Sequence, residues 1–235
     1  MTSVPVPPWR AERRKAPRRS LNREAIVTAA LHVVGTEGLD ALSMRRVAQE
    51  LDTGAASLYA HVANKEELLE LLLDRIQADV VRPEPDPARW QEQIKEMARQ
   101  GRRVLVAHRD LARAAIGQGI PFGPNALLNA EAMLAILKAG GLSDQVCAYG
   151  VDALALFVTA TAVEESLRNQ GPGGTGVTLD EQIARIREYF GSLPPERFPH
   201  ITGMVDALMR DEGDERFEFG LDLLVSGLAR HAPAA

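Results

Sequence analysis

Between Ser43 and Leu69 the chain reads SMRRVAQELDTGAASLYAHVANKEELL, and few folds can accommodate that much punctuation in so short a stretch. Met44, Val47, Ala48 and Leu51 fall at i, i+3, i+4 and i+7, one clean apolar face of a short helix that Ser43 is placed to cap. Asp52, Thr53 and Gly54 interrupt that face. A second short segment follows, in which Leu58 and Val62 are the apolar points and Ser57, Tyr59 and His61 the polar ones. Asn64, with Glu67 three residues later, resembles a capping box with Asn in place of Ser. Leu68, Leu69, Leu72, Ile76 and Val80 then carry a longer helix onward. A supporting helix, a tight turn and a short decorated helix have helix-turn-helix proportions. The segment is short because it must fit a groove.

Upstream, Asn22 is a plausible N-cap with Glu24 in the first turn, and Ile26, Ala30, Val33 and Val34 run as a helical stripe up to Gly38. Residues 1–20, rich in Pro and Arg with almost nothing to bury, are expected to be a disordered basic arm. The 235-residue chain carries a net charge of −5, but the average hides an asymmetry. Residues 1–65 hold ten Lys/Arg against six Asp/Glu, and the rest holds seventeen against twenty-six. A basic front on an acidic body suggests a front that meets a polyanion, although a chance tilt plus a solvated tail gives the same numbers.

The Pro-rich RPEPDPARW, residues 82–90, is the natural domain boundary. Beyond it the helical pattern continues over about 88–107, from Pro124 to Ala139, from a Ser143 cap to about Asn169, from about Asp180 to Phe190, and through a last stripe of Phe217, Leu221, Leu224, Val225 and Leu228. QGPGGTGVT reads as a flexible loop and GSLPPERFPH as a second Pro-rich break. The expected fold class is all-α: a three-helix head over 21–80 with its long fourth helix, then a larger helical domain over 88–232. The run beginning at Ser143 is apolar nearly all round, so it should be buried on several sides. No apolar stretch is judged long enough to span a bilayer, the N-terminus has no secretory h-region, and a cytoplasmic protein is expected. The lone Cys147 excludes an internal disulfide or a Cys-based metal site and is expected in the core.

Within the head, Ala55 and Ala56 keep the start of the short helix slim enough to approach the groove floor, where their methyls can touch a thymine methyl. Ser57, Tyr59 and His61 have the reach for base edges or phosphates, with Tyr59 as packing and His61 as a helix-end residue the competing readings. Ser43 and Arg45 at the start of the supporting helix, and Lys65 at the start of the fourth, are placed to hold phosphate. In the arm, Arg18 and Arg19 lie nearest the head and are candidates for the minor groove, with a solubilising tail as the bland alternative.

These residues resemble the DNA-binding signature of TetR-family transcriptional repressors. SLYAHVANKEEL is close to that family's L-Y-x-H-V-x-N-K-x-x-L, and residues 21–80 carry the resemblance firmly. AHRDLARAAIGQ, LLNAEAMLAILKAGGL and DERFEFGLDLLVSGL extend it more weakly to a TetR-type regulatory domain. The resemblance implies a homodimer on a palindromic double-stranded DNA operator. It implies a four-helix bundle at the two-fold interface, made from the long apolar helix and the last helix of each copy. It also implies a small inducer in the larger domain that swings the fourth helix and spreads the heads. Ser43, Arg45, Ser57, Tyr59, His61 and Lys65 fall on the family's DNA-contacting positions, whereas Ala55 departs from the Gln of tetracycline repressors. Ala115 replaces the histidine those repressors use for magnesium, so no metal and no cofactor are expected.

For the inducer, expected to be apolar or aromatic, the pattern nominates His108, Asn129, Met133, Phe157, Thr161 and Glu164, although a Met or Phe there is more often core. Glu164 and Glu165 lie about 100° apart on a helix and are not expected to face one site together. HRD at 108–110 lacks the other parts of a kinase, and GPGGTG lacks the Lys and the strand of a phosphate loop. No catalytic residue is nominated. Two other readings stay open: a regulator gated by a protein or acting as an activator, and an enzyme on an all-α body, for which no nucleophile–base pair speaks.

Overall fold

The computed structural model describes residues 21–117, 122–170, 178–210 and 213–233, and among them no residue is in a strand. The arm with Arg18 and Arg19, and all but Gln170 and Thr178 of the Gly-rich loop, lie outside the described residues. The head is built from α1 (Arg23–Glu37), a 3₁₀ turn (Leu39–Ala41), α2 (Met44–Glu50), α3 (Ala55–Leu58) and the start of α4 (Lys65–Gln77). Its caps are local. Asn22 accepts from Ala25 N, Ser43 from Arg46 N, and Asn64 from Glu67 N. Glu67 reaches back to the amide of Ala63 rather than of Asn64, one residue beyond the usual reciprocal bond of a capping box.

Asp52 closes α2 with a φ of 49°, a left-handed conformation that Asp tolerates, and Thr53 N donates to Ala48 O across it. The turn packs α3 back against α2. α3 is shorter than the sequence pattern suggests: it ends at Leu58, and Val62 is buried from the turn that follows. Ile26, Ala30, Val47, Leu58, Val62, Leu68 and Leu72 form the head core, continuous with the core of the body.

The body contains α5 (Trp90–Ala107), α6 (Arg109–Gly117), α7 (Pro124–Ala139), α8 (Asp144–Gln170), α9 (Leu179–Gly191), α10 (Pro199–Gly203), α11 (Val205–Leu208) and α12 (Gly213–Ala229). The periodicity does not announce α6, α10 or α11, all under ten residues. α8 is the hub, packed on α5, α6, α7 and α12, while α9, α10 and α11 pack chiefly on one another. α4 lies against α7, α6 and α5, so the element that begins in the head ends in the body. It stops at Gln77, and the expected apolar point Val80 is buried just beyond it.

Two expectations about the body are corrected. α8 is not buried on several sides within one chain: Tyr149, Leu156 and Leu167 are exposed along it. By length and composition it would pass for a membrane-spanning helix. The last helix, too, has two apolar faces rather than one. Phe217, Leu221 and Val225 are buried in the chain's own core and Leu224 and Leu228 pack beside them, whereas Phe219 and Leu223 are exposed on the other side. The stripe seen in the sequence is therefore the inner one. An apolar residue facing a partner and one facing the core look alike in a linear pattern.

Candidate functional site

Two regions collect the nominated residues. On the head, α3 is pinned by Leu58, which is fully buried, and presents the other side outward: Ala56, Ser57 and Tyr59 are exposed, Ala55 and His61 half-buried. Arg45 and Lys65, also exposed, flank it from α2 and from the first turn of α4. Ser43 is half-buried, with its hydroxyl oxygen accepting from Arg46 N.

Neighbouring cations divide into those left outward and those used inside the head. Arg46 grips Glu37 with both Nε and Nη2 and also reaches Glu50 at 2.8 Å. Those bonds hold the Glu37 carboxyl below its usual range. Arg23 donates to the carbonyl of His61 at 3.1 and 3.2 Å and to Glu67 at 2.9 Å. The first turn of α1 thereby fixes the chain where it leaves α3. Neither role is visible in the helical periodicity.

The second region is a cleft of about 600 Å³ between α5, α8 and α12. Phe157 and Phe217 stack at its base, ring centroids 5.4 Å apart and 10° from parallel. Arg102 lies over the Phe217 ring, 4.6 Å from its centroid, and pairs with Glu165 at 2.5 Å and Asp214 at 2.8 Å. Its Nε is buried with no hydrogen-bond partner among the described residues. Glu164 pairs with Arg216 and Arg168, and the Arg216 bond holds its carboxyl below the usual range against the opposing effect of burial. Glu164 and Glu165 thus line one cleft, against the expectation from their angular offset. Different arginines draw the two long side chains inward from either edge of α8.

Of the nominated effector residues, Phe157, Thr161 and Glu164 line this cleft. Thr161 spends its hydroxyl on the carbonyls of Phe157 and Val158 at 2.9 and 3.0 Å. The other three lie elsewhere. His108 caps the end of α5 near Asp79 and Arg75, and burial holds its imidazole below the ordinary value. Met133 packs on the core. Asn129 is buried and engaged by α4 and its linker, accepting from Arg82 at 2.8 Å and donating to the Gln77 carbonyl at 3.0 Å. Arg102, Arg168, Arg216 and Phe217 are lining residues that sequence reasoning missed. An arginine on the wet face of an amphipathic helix carries no mark of the cleft that will form around it.

The family model described as "Bacterial regulatory proteins, tetR family" matches residues 26–72, and "Tetracyclin repressor-like, C-terminal domain" matches residues 82–232. The chain is 31% identical to the HTH-type transcriptional repressor DrrR1 of Streptomyces coeruleorubidus over 94% of this chain and 82% of that one. It is 28% identical to the class D tetracycline repressor protein of Escherichia coli over 88% of each. Among solved structures it is similar to ActR of Streptomyces coelicolor in complex with actinorhodin. That likeness has 47% identity and a TM-score of 0.83, covering 91% of this chain and 99% of ActR.

Proposed function

This chain belongs to the TetR family of bacterial regulatory proteins, and on that premise we propose how it works as a ligand-responsive transcriptional repressor. Two copies bind the half-sites of a palindromic operator through α3, and a small molecule in the body's cleft releases them. The family and the relatives are regulators of transcription, not enzymes. The observation that carries the reading is the outward edge of α3. A four-residue helix anchored by Leu58 presents Ser57 and Tyr59, with Arg45 and Lys65 to either side. Short polar side chains on a slim helix suit a major groove, and flanking cations suit the phosphates beside it. Ser43, Ala55, Ala56 and His61 complete the contact surface, and Arg18 and Arg19 reach the adjoining minor groove from the arm. Acting on DNA, the protein would work in the cytoplasm.

The dimer forms through the outer faces of α8 and α12. Tyr149, Leu156, Phe219 and Leu223 are exposed there, and a four-helix contact between two copies would cover all of them. The same contact accounts for the hydropathy of α8 without a bilayer. The inducer is a planar aromatic molecule with polar edges. Half-buried Phe157, backed by Phe217, offers it an aromatic wall, and three arginines and three carboxylates lie at the rim. Those charged groups pair with one another across the rim, and a ligand with polar edges can exchange hydrogen bonds with them where a wholly apolar one cannot. The similar protein ActR was crystallised in complex with actinorhodin, which supports a ligand-responsive regulator.

The test is selection of bound duplexes from a randomised DNA pool, followed by footprinting and by a screen of aromatic compounds for release. A recovered palindrome protected at two half-sites is expected. Recovery of no enriched sequence would overturn the reading.

A further inference from the structure

The N-terminus of α7 lacks a cap of its own. Its N-cap residue is Gly123, which has no side chain to offer the free amides of the first turn. The cap comes instead from another helix. Asp74, near the end of α4, accepts from Asn125 N at 2.9 Å and Ala126 N at 3.1 Å through one oxygen, and from Asn125 Nδ2 at 2.9 Å through the other. A Cβ at Gly123 would collide with that carboxylate, so the glycine also makes room for it.

One turn further along both helices the contact is repeated. Asn129 lies four residues beyond Asn125 on α7, and Gln77 three beyond Asp74 on α4, so each pair shares a helix face. Asn129 donates to the carbonyl and to Oε1 of Gln77 at 3.0 and 3.1 Å, and accepts from Arg82. The linker beyond is held as well: Val81 N donates to Gln100, and Gln93 holds Asp86 N and the Glu84 carbonyl.

We infer that Asp74 and Asn129 are the positioning residues that make the end of α4 and the start of α7 one mechanical unit. Two attachment points a turn apart fix orientation as well as distance. α7 packs on α8 and α5, and those helices line the cleft with Phe157, Thr161, Glu164, Glu165 and Arg102. A displacement of α7 therefore carries the end of α4 with it. The consequence is reciprocal: holding the head on DNA must steady the first turn of α7.

This inference rests on the reading of the chain as a DNA-binding regulator, and its test separates the two. Amide exchange is followed in the full-length protein with and without the operator recovered by selection, in the segments 43–62 and 123–130. In the wild type the operator should slow exchange in both, in the second by at least about fivefold, the lower end of ordinary coupling between sites. In Asp74→Ala that second response should fall below about twofold while segment 43–62 still responds, and Asp74→Asn, which keeps one acceptor, should lie between. Asn129→Leu, which leaves the cap in place and frees Gln77 and Arg82 to solvent, should reduce the response by itself and serves if Asp74→Ala does not fold. An unresponsive 123–130 segment in the wild type, or an undiminished response in Asp74→Ala or in Asn129→Leu, overturns the inference. An unresponsive 43–62 segment in the wild type instead overturns the regulator reading.

Discussion

Replacing Leu223 by Glu tests the dimer face directly, and the structure supplies both a magnitude and a control. In one chain Leu223 is 60% exposed on the outer side of α12, beside Phe219 at 66%. Burying a leucine side chain fully is worth about 1.5–3 kcal/mol, so covering what remains exposed is worth roughly 1–2 kcal/mol per copy. A two-fold interface contains the residue twice, which raises the loss to roughly 2–4 kcal/mol. At about 1.4 kcal/mol per tenfold, the dimer dissociation constant of Leu223→Glu should rise at least roughly 30-fold, and desolvation of two carboxylates would raise it further. The control is the next residue. Leu224 is half-buried on the inner side of the same helix, packed against the core. Leu224→Glu should therefore strike the fold, lowering the melting temperature by roughly 5 °C or more. Sedimentation velocity over a dilution series and thermal melts by circular dichroism read the two effects. A Leu223→Glu protein that remains dimeric with the wild-type constant would refute the assignment of this face.

Tyr59→Ala and Lys65→Ala should each weaken operator binding by roughly 1–3 kcal/mol with the melting temperature retained, and a filter-binding titration in which neither changes would remove α3 from the interface. Deleting residues 2–19 should leave dimerisation intact and flatten the log-affinity against log-salt slope by roughly 0.9 per lost phosphate contact. Coincident slopes for the full-length and shortened proteins would exclude the arm from binding. Burial holds the His108 imidazole below the ordinary 6.5, so the folded protein keeps it neutral where the unfolded chain would protonate it. That contribution is fully present above pH 6.5 and is lost as the pH falls through 6.5 toward the lowered folded value. His108→Gln should accordingly lose less stability than the wild type between about pH 7 and 5 in a urea-melt series, and parallel curves would show that His108 does not contribute.

What the sequence determined by itself is what local interactions decide. The caps at Asn22, Ser43 and Asn64 are bonds of a side chain to a backbone amide three residues on, and the residue types announce them. The anchoring of α3 by Leu58 and the outward direction of Ser57 and Tyr59 follow from a short period within one small head. The all-α class and the break at residues 82–90 were legible for the same reason. Where each apolar or charged face would end up was decided only by the tertiary structure. Phe217, Leu221 and Val225 turned inward and Phe219 and Leu223 outward because α8 and α5 occupy one side of α12 and no element of the described chain covers the other. Asn129, nominated for a ligand, is held by Gln77 and Arg82, partners some fifty residues earlier in the chain. Arg102 reached the cleft through Glu165 and Asp214, which lie still farther away in sequence. Periodicity records which side of a helix is apolar and which is polar. It does not record what meets that side, because the meeting depends on loop paths and helix crossings that no single segment encodes.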